Sequence, residues 1–270
     1  MSVLNDPRAG ASLLIIEIGN SHISVATSVA GQIFSHERFS HDEIEAVLNA
    51  AEAAWNALPP DRLRAVAGVS VVPAVLERLR GPIEDLLQSP LLIVGEDLHR
   101  PLSLAVESPE SVGIDRVCAA AAAYDTLKHA CVVASFGTAI TIDCVNDEGA
   151  FMGGAILPGL DLQARSLNEH TAQLPRVTIE SPEGTYGGST TEAIRQGIVY
   201  GVVGGLREIT ERYATELKSW PDLVACGGNA ELIGRHAEII DRIVPDLCIR
   251  GVAVAYRMHF SPLADSGEEQ

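Results

Sequence analysis

Apolar residues fill Leu13–Ile16 without interruption, and a second β-rich run, Ile23–Ala26, follows a short polar break. Runs of this length around a Gly-containing turn predict two strands joined as a hairpin. Strand-like sequence continues to about Val29. Over residues 41–58, Ile44, Val47, Leu48, Ala51 and Trp55 recur at helical spacing, and Pro59-Pro60 ends the pattern. "LRAVAGVSVVP" reads as a buried strand. Residues 74–87 place Val75, Leu79, Ile83 and Leu86 on one helical face, with Pro82 inside the span as a predicted break. "PLLIVG" reads as a further strand. Strands alternating with helices predict an α/β fold with a parallel or mixed sheet.

The pattern then repeats. "LLIIEIGNSHISVA" and "CVVASFGTAITIDCV" share one form: an apolar strand, a polar residue, an apolar residue, Gly, a small polar residue and a second strand. Glu17-Ile18-Gly19-Asn20 corresponds to Ser135-Phe136-Gly137-Thr138. Either two unrelated hairpins occur, or the fold is duplicated with a ligand between its halves. The divide falls near the alanine-rich helix that begins around Gly113. The expected domains are 11–115 and 116–262, with flexible tails at 1–10 and 263–270. The second half adds a strand, "AFMGGAIL", a turn at Pro158-Gly159, and helices at about 160–174 and 190–219. "DLVACGGNAELI" runs from a strand through a Gly-Gly turn into a helix.

Composition narrows the classes. Aromatic residues are only 4% of the chain, so the core must be aliphatic. A net charge of −17 argues against nucleic-acid or anionic-membrane partners, because nothing offsets phosphate repulsion. Local dipoles can still hold a small anion. No uninterrupted apolar run reaches the length of about 18 residues needed to span a membrane, and no secretory signal is expected. The five cysteines form no CxxC pair, which favours reduced thiols in a cytoplasmic protein. The histidines show no metal-binding spacing.

Candidate chemistry gathers at four motifs. The turn Gly19, Asn20, Ser21 offers side-chain hydroxyl and amide groups and backbone N–H groups to a phosphate. Glu17 beside it would repel a triphosphate unless a cation lies between, so it is either a ligand to Mg²⁺, directly or through water, or a solvated strand end. Gly137 and Thr138 offer a second such turn. In "SPESVGIDR", Ser111 is a candidate helix cap and Asp115 lies in the first turn, where the dipole favours its ionised form. Asp115 could accept a proton from a substrate hydroxyl and Arg116 could fork onto an anion. An ordinary surface Asp–Arg pair is the plainer reading. Gly227 and Gly228 allow close approach of a flat ring or a phosphate.

Together these motifs resemble those of the type III pantothenate kinases, of the acetate and sugar kinase/Hsp70/actin superfamily. The matches are "EIGNS", "VSVVP", "GIDR", "FGTAITID", "GGAILPGL", "SLNEHTAQLP", "STTEAIRQGIVYG" and "CGGNAELI", in that order, over about residues 13–251. The resemblance implies duplicated actin-like (ribonuclease H-like) domains with mixed sheets flanked by helices, and a homodimer. It implies ATP- and Mg²⁺-dependent phosphorylation of pantothenate, the first step towards coenzyme A. By position, Glu17 and Ile18, the turn Gly19 to Ser21, and His22, Ile23 and Ser24 would line ATP, with Gly137, Thr138, Gly227 and Gly228. Gly113, Ile114, Asp115 and Arg116 would meet pantothenate, with Asp115 as catalytic base and Thr190 reaching it across the dimer. The family also uses a monovalent cation, potassium or ammonium.

Three positions depart from the family pattern. Glu17 stands where Asp is usual, which moves the carboxylate out by about 1.5 Å. Ser135 replaces the Asp at the monovalent-cation position, so cation affinity should fall or vanish. Val106 stands where a Tyr usually packs against pantothenate. Three readings therefore stay open: a working pantothenate kinase, a paralogue acting on another small hydroxyl compound, and a catalytically weak ATP-binding regulatory protein.

Overall fold

The computed structural model describes residues 6–261. The first apolar runs form β1 (Ser12–Ile18) and β2 (Ile23–Val29), followed by β3 (Gln32–Phe39), α1 (Ile44–Ala57), β4 (Arg64–Ser70), α2 (Pro73–Leu87) and β5 (Leu91–Ile93). Then come β6 (Ser103–Leu104), α3 (Ile114–Leu127), β7 (Cys131–Phe136), β8 (Ala139–Val145), β9 (Ala150–Pro158), α4 (Leu160–Glu169) and α5 (Thr190–Leu217). The last described elements are β10 (Asp222–Cys226), α6 (Ala230–Gly234), β11 (Arg242–Ile243) and α7 (Leu247–Phe260).

One sheet has the order β3-β2-β1-β4-β5, and the other β11-β10-β7-β8-β9-β6. β1 pairs antiparallel with β2 and parallel with β4, and β7 does the same with β8 and β10. β3 and β9 extend the antiparallel side, and β5 and β11 the parallel side. The two sheets are thus one topology used twice, with β6 added along β9. This is the expected duplicated α/β fold, with mixed sheets flanked by helices.

β1 is buried along nearly its whole length because both faces are covered. Leu14, Ile16 and Ile18 pack with Val47 of α1 and Leu79 and Ile83 of α2. Leu13 and Ile15 point the other way, into a cluster with Cys118 of α3 and Ile249, Val252 and Tyr256 of α7. In the second sheet, Val132, Ala134, Phe136 and Ile142 pack with Ile198, Val202 and Leu206 of α5. Of the largest fully buried side chains only Phe136 and Phe151 are aromatic, so the core is aliphatic, as the composition required.

The compact units are each built from separate stretches of the sequence. One unit takes the chain to Leu102, residues 110–122 and everything from Cys248; the other takes Ser103–Pro109 and Ala123–Leu247. The physical reason lies in α7, whose apolar face joins the cluster of Leu13 and Ile15. The sequence reading assigned no helix there.

Other local expectations shift. α2 continues through Pro82. Proline removes one backbone donor, while Leu79, Ile83 and Leu87 on either side are buried and hold the helix to the sheet. α4 stops at Glu169 rather than near residue 174. Beyond it the Thr171 hydroxyl donates to the Leu167 carbonyl and Asn168 Nδ2 donates to the Leu174 carbonyl, closing a local turn. Of the expected tail at 1–10, Pro7–Gly10 form a 3-10 turn capped by Asp6, which is paired with Arg8 at 2.6 Å. Residues 1–5 and the expected tail at 263–270 lie outside the described residues. No described helix is long and apolar enough to cross a membrane.

Candidate functional site

In the first unit, β1 carries Glu17 to the mouth of the hairpin. Its register sets Glu17 opposite Ser24 and Ile18 opposite Ile23. The turn closes through the Gly19 N–H, which donates to the His22 carbonyl at 3.0 Å. Asn20, Ser21 and His22 are exposed. His41 braces this turn, because its Nε2–H donates to the Gly19 carbonyl at 2.8 Å. The Glu17 carboxylate is half-buried and accepts hydrogen bonds from the Cys248 thiol and the Ser24 hydroxyl.

The "GIDR" motif shapes the start of α3. The first helical N–H groups, of Arg116 and Val117, donate to the Gly113 carbonyl at 3.1 and 3.4 Å. Ser111 lies in a preceding 3-10 turn, Pro109–Ser111. Asp115 folds back over Gly113, where a Cβ would sit 2.7 Å from Oδ1. Its Oδ1 accepts the Arg116 backbone N–H at 2.9 Å. The glycine therefore makes room for the carboxylate that follows it by two residues, and Ile114 packs against the cluster of Leu13 and Ile15.

Burial raises the proton affinity of Glu17 above the usual carboxylate range. Its hydrogen bonds and the Arg38 guanidinium oppose that rise, while the negative charge of Asp115 adds to it. Asp115 is likewise raised by burial and held back by the Arg116 backbone N–H and guanidinium. The structure thus brings together two of the residues singled out from sequence, both as carboxylates with raised proton affinity.

A stability consequence follows. Between the ordinary carboxylate value and the raised folded value, the folded protein holds a proton that the unfolded chain has lost. Stability therefore falls as pH rises through that window, and the penalty is complete above it. Glu17→Gln should raise Tm of the nucleotide-free protein near neutral pH, by about 2–4 °C for each kcal/mol relieved. The gain should shrink as pH is lowered, and melting curves over a pH series test it. An equal gain at every pH would mean that Glu17 carries no such penalty.

In the second unit, the hairpin of β7 and β8 turns at Gly137, whose N–H donates to the Ala139 carbonyl at 3.1 Å. Gly137 and Thr138 are exposed. Neither Gly19 nor Gly137 has a positive φ, and an added Cβ would meet its nearest neighbour at an ordinary 3.6 Å. The turns do not require glycine for their own geometry. Gly227 does need to be glycine. It has φ +92°, and a Cβ there would lie 2.6 Å from the Phe136 carbonyl oxygen. The Asn229 N–H donates to that oxygen at 3.1 Å, tying the Gly-Gly turn to the second hairpin. Gly228 is exposed with nothing within 4 Å of where its Cβ would be. The Gly159 N–H, at the start of α4, donates to the Thr138 carbonyl at 3.0 Å.

The remaining residues are less gathered. Ser135 is half-buried on β7, opposite Thr141 and Cys226. Val106 packs against Gly153 at 3.4 Å from its would-be Cβ. Thr190 is exposed at the first position of α5, whose cap Ser189 accepts the Glu192 N–H at 3.2 Å.

Arg38, His41 and Cys248 were not singled out from sequence. Arg38 lies on β3, an exposed edge strand with no apolar run, and His41 lies in a polar connection. Nothing in the sequence pairs Cys248 with Glu17.

The donor set suits a hard cation that comes with phosphate oxygens. Mg²⁺ is bound by one or two carboxylates and keeps several waters. Glu17 supplies a fixed carboxylate, and a nearby dication would relieve its repulsion with Asp115. Among the described residues no group of three or more His, Cys, Asp or Glu side chains could hold a metal alone, so phosphate and water would complete the shell.

The model of the family described as type III pantothenate kinase matches residues 13–212. A type III pantothenate kinase from Dehalococcoides mccartyi is 30% identical over 254 residues, covering 92% of this chain and 98% of that protein. The crystal structure of a Baf family protein from Campylobacter jejuni superposes with TM-score 0.58 at 18% identity, covering 88% of this chain and 94% of its own. The ethanolamine utilization protein EutJ from Carboxydothermus hydrogenoformans gives 0.51 at 13% identity, over 93% and 92% of the two chains. The two structural matches are likenesses of fold.

Proposed function

We propose, from the premise that the chain belongs to the type III pantothenate kinase family, that it phosphorylates the primary hydroxyl of pantothenate with ATP and so begins coenzyme A synthesis. Family membership makes it a kinase that transfers phosphate to an alcohol. The observation that carries the acceptor chemistry is the placement of Asp115. It is half-buried at the start of α3, with its carboxylate folded over Gly113 and its proton affinity raised by burial. A carboxylate of raised proton affinity is the better general base near neutral pH.

In this reading, Asp115 orients the pantothenate hydroxyl and accepts its proton as the oxygen attacks the γ-phosphorus of ATP and the bond to the departing ADP breaks. Arg116 faces the acceptor with a guanidinium suited to a carboxylate. The turns Gly19 to Ser24 and Gly137–Thr138 serve the phosphates, with the Gly19 and Gly137 N–H groups closing the turns, and Gly227–Gly228 serve the nucleoside. Glu17 would hold Mg²⁺, directly or through water, and the bound ion would supply charge neutralisation for the phosphates. Thr190 meets pantothenate across a homodimer; exposed Tyr200 on α5 and Ile156 on β9 support a covered surface in the second unit. The protein works in the cytoplasm.

Val106 favours one alternative. Its small side chain rests on Gly153 where the family usually has Tyr, which leaves room for another hydroxyl compound. A coupled ADP-release assay with and without pantothenate is the test. Pantothenate-dependent turnover is expected; turnover only with a different alcohol would point to the paralogue. ATP binding with no turnover would point to a regulatory role.

The same assay tests the cation. Ser135 offers a neutral hydroxyl instead of a carboxylate, so turnover should change less than about twofold between potassium, ammonium and neither. Ser135→Asp should introduce a dependence. Strong activation of the unaltered protein would show that other oxygens hold the ion.

A further inference from the structure

Glu17 carries a longer side chain than an aspartate would, with one more rotor to fix. Three elements of the first unit converge on it. β2 sets Ser24 directly opposite. α3 presents Asp115 and, one turn on, Cys118. α7 presents Cys248 and, one turn on, Gly251. Residues three apart share a helix face, so each helix turns one face to this place. The two helices touch where Gly251 meets Cys118: an added Cβ at Gly251 would overlap the Cys118 backbone carbonyl. That contact fixes the first turn of α7, and the Cys248 thiol hydrogen-bonds to the Glu17 carboxylate.

We propose that Cys248 is a positioning residue for the kinase reaction: its thiol, together with the Ser24 hydroxyl, fixes the Glu17 carboxylate in the orientation that serves Mg²⁺–ATP. This rests on the reading of Glu17 given above. Two neutral donors occupy part of the carboxylate's accepting capacity and leave the remaining lone pairs for the hydrated ion or the ion itself. The arrangement tethers the long side chain of Glu17 by a donor from another helix.

Cys248→Val keeps the bulk and removes the donor, and Cys248→Ser keeps a donor. Losing one hydrogen bond to a charged group should raise KM for Mg²⁺–ATP about tenfold. The turnover number and KM for pantothenate should move less than about threefold, and Cys248→Ser should recover most of the loss. A merely structural thiol would give no such split and no rescue by serine. Calorimetric binding of ATP with Mg²⁺ reads the same change without an acceptor. If the wild type turns over no pantothenate, the function proposed above fails, while weakened Mg²⁺–ATP binding in Cys248→Val still supports the tether. The infrared S–H stretch gives a metal-free readout that needs only the wild type and Glu17→Gln. A hydrogen-bonded band should be present in the first and shifted in the second. An unshifted band, or wild-type Mg²⁺–ATP binding in a folded Cys248→Val, overturns the proposal.

Discussion

Asp115→Asn should lower the turnover number by about 10²–10⁴-fold, the usual contribution of a general base, while leaving ATP affinity within about threefold of wild type. Asparagine matches aspartate in shape, so it keeps the fold-back over Gly113. Its amide oxygen can still accept the Arg116 N–H that Asp115 accepts at 2.9 Å. What it cannot do is take up the proton leaving the acceptor hydroxyl. The loss should fall on turnover rather than on KM for ATP, because the residue serves the acceptor in the transition state. Steady-state kinetics with calorimetric ATP binding measures both. An unchanged turnover number would remove Asp115 from the chemistry. A loss of ATP binding equal to the loss of rate would place it on the nucleotide instead.

Gly251→Ala should be the more damaging change to the fold. The new methyl would overlap the backbone of Cys118, its carbonyl oxygen, carbonyl carbon and Cα. Backbone cannot rotate aside as a long side chain can, so α7 must lift from α3. Overpacking of this kind costs about 1–3 kcal/mol and occasionally more, or about 2–4 °C in Tm for each kcal/mol in a chain of this size. Thermal melting measures it. The displaced helix would carry Cys248 away from Glu17, so KM for Mg²⁺–ATP should rise in any fraction that folds. A variant with wild-type Tm would show that the helices have slack at this crossing.

The legible parts of the fold were those written in continuous local pattern. β1 and β7 could be read because strands covered on both faces leave nearly unbroken apolar runs, and the two runs share one polar interruption. The duplicated topology confirms that reading. β3 escaped because it is an exposed strand whose side chains need not be apolar. Pro82 misled because a single lost donor weighs less than three buried side chains around it. α7 carries an ordinary amphipathic pattern, and no pattern states which sheet it will cover. The candidate site divided the same way. Glu17 and Asp115 stand in motifs whose chemistry is visible at short range. The thiol beside Glu17 is brought there by a helix from the far end of the sequence, so only three-dimensional structure reveals it.

The interleaving of the units also bears on how the chain is made. A ribosome releases residues 103–247 before Cys248 exists, so the second unit can close while the first still waits. Until α7 emerges, the face of β1 that presents Leu13 and Ile15 lacks its cover, and exposed apolar surface on a nascent chain invites aggregation. Domains commonly finish in the order they are synthesised. Here the first to be started is the last to be completed, and the surroundings of Glu17 are assembled only when α7 docks.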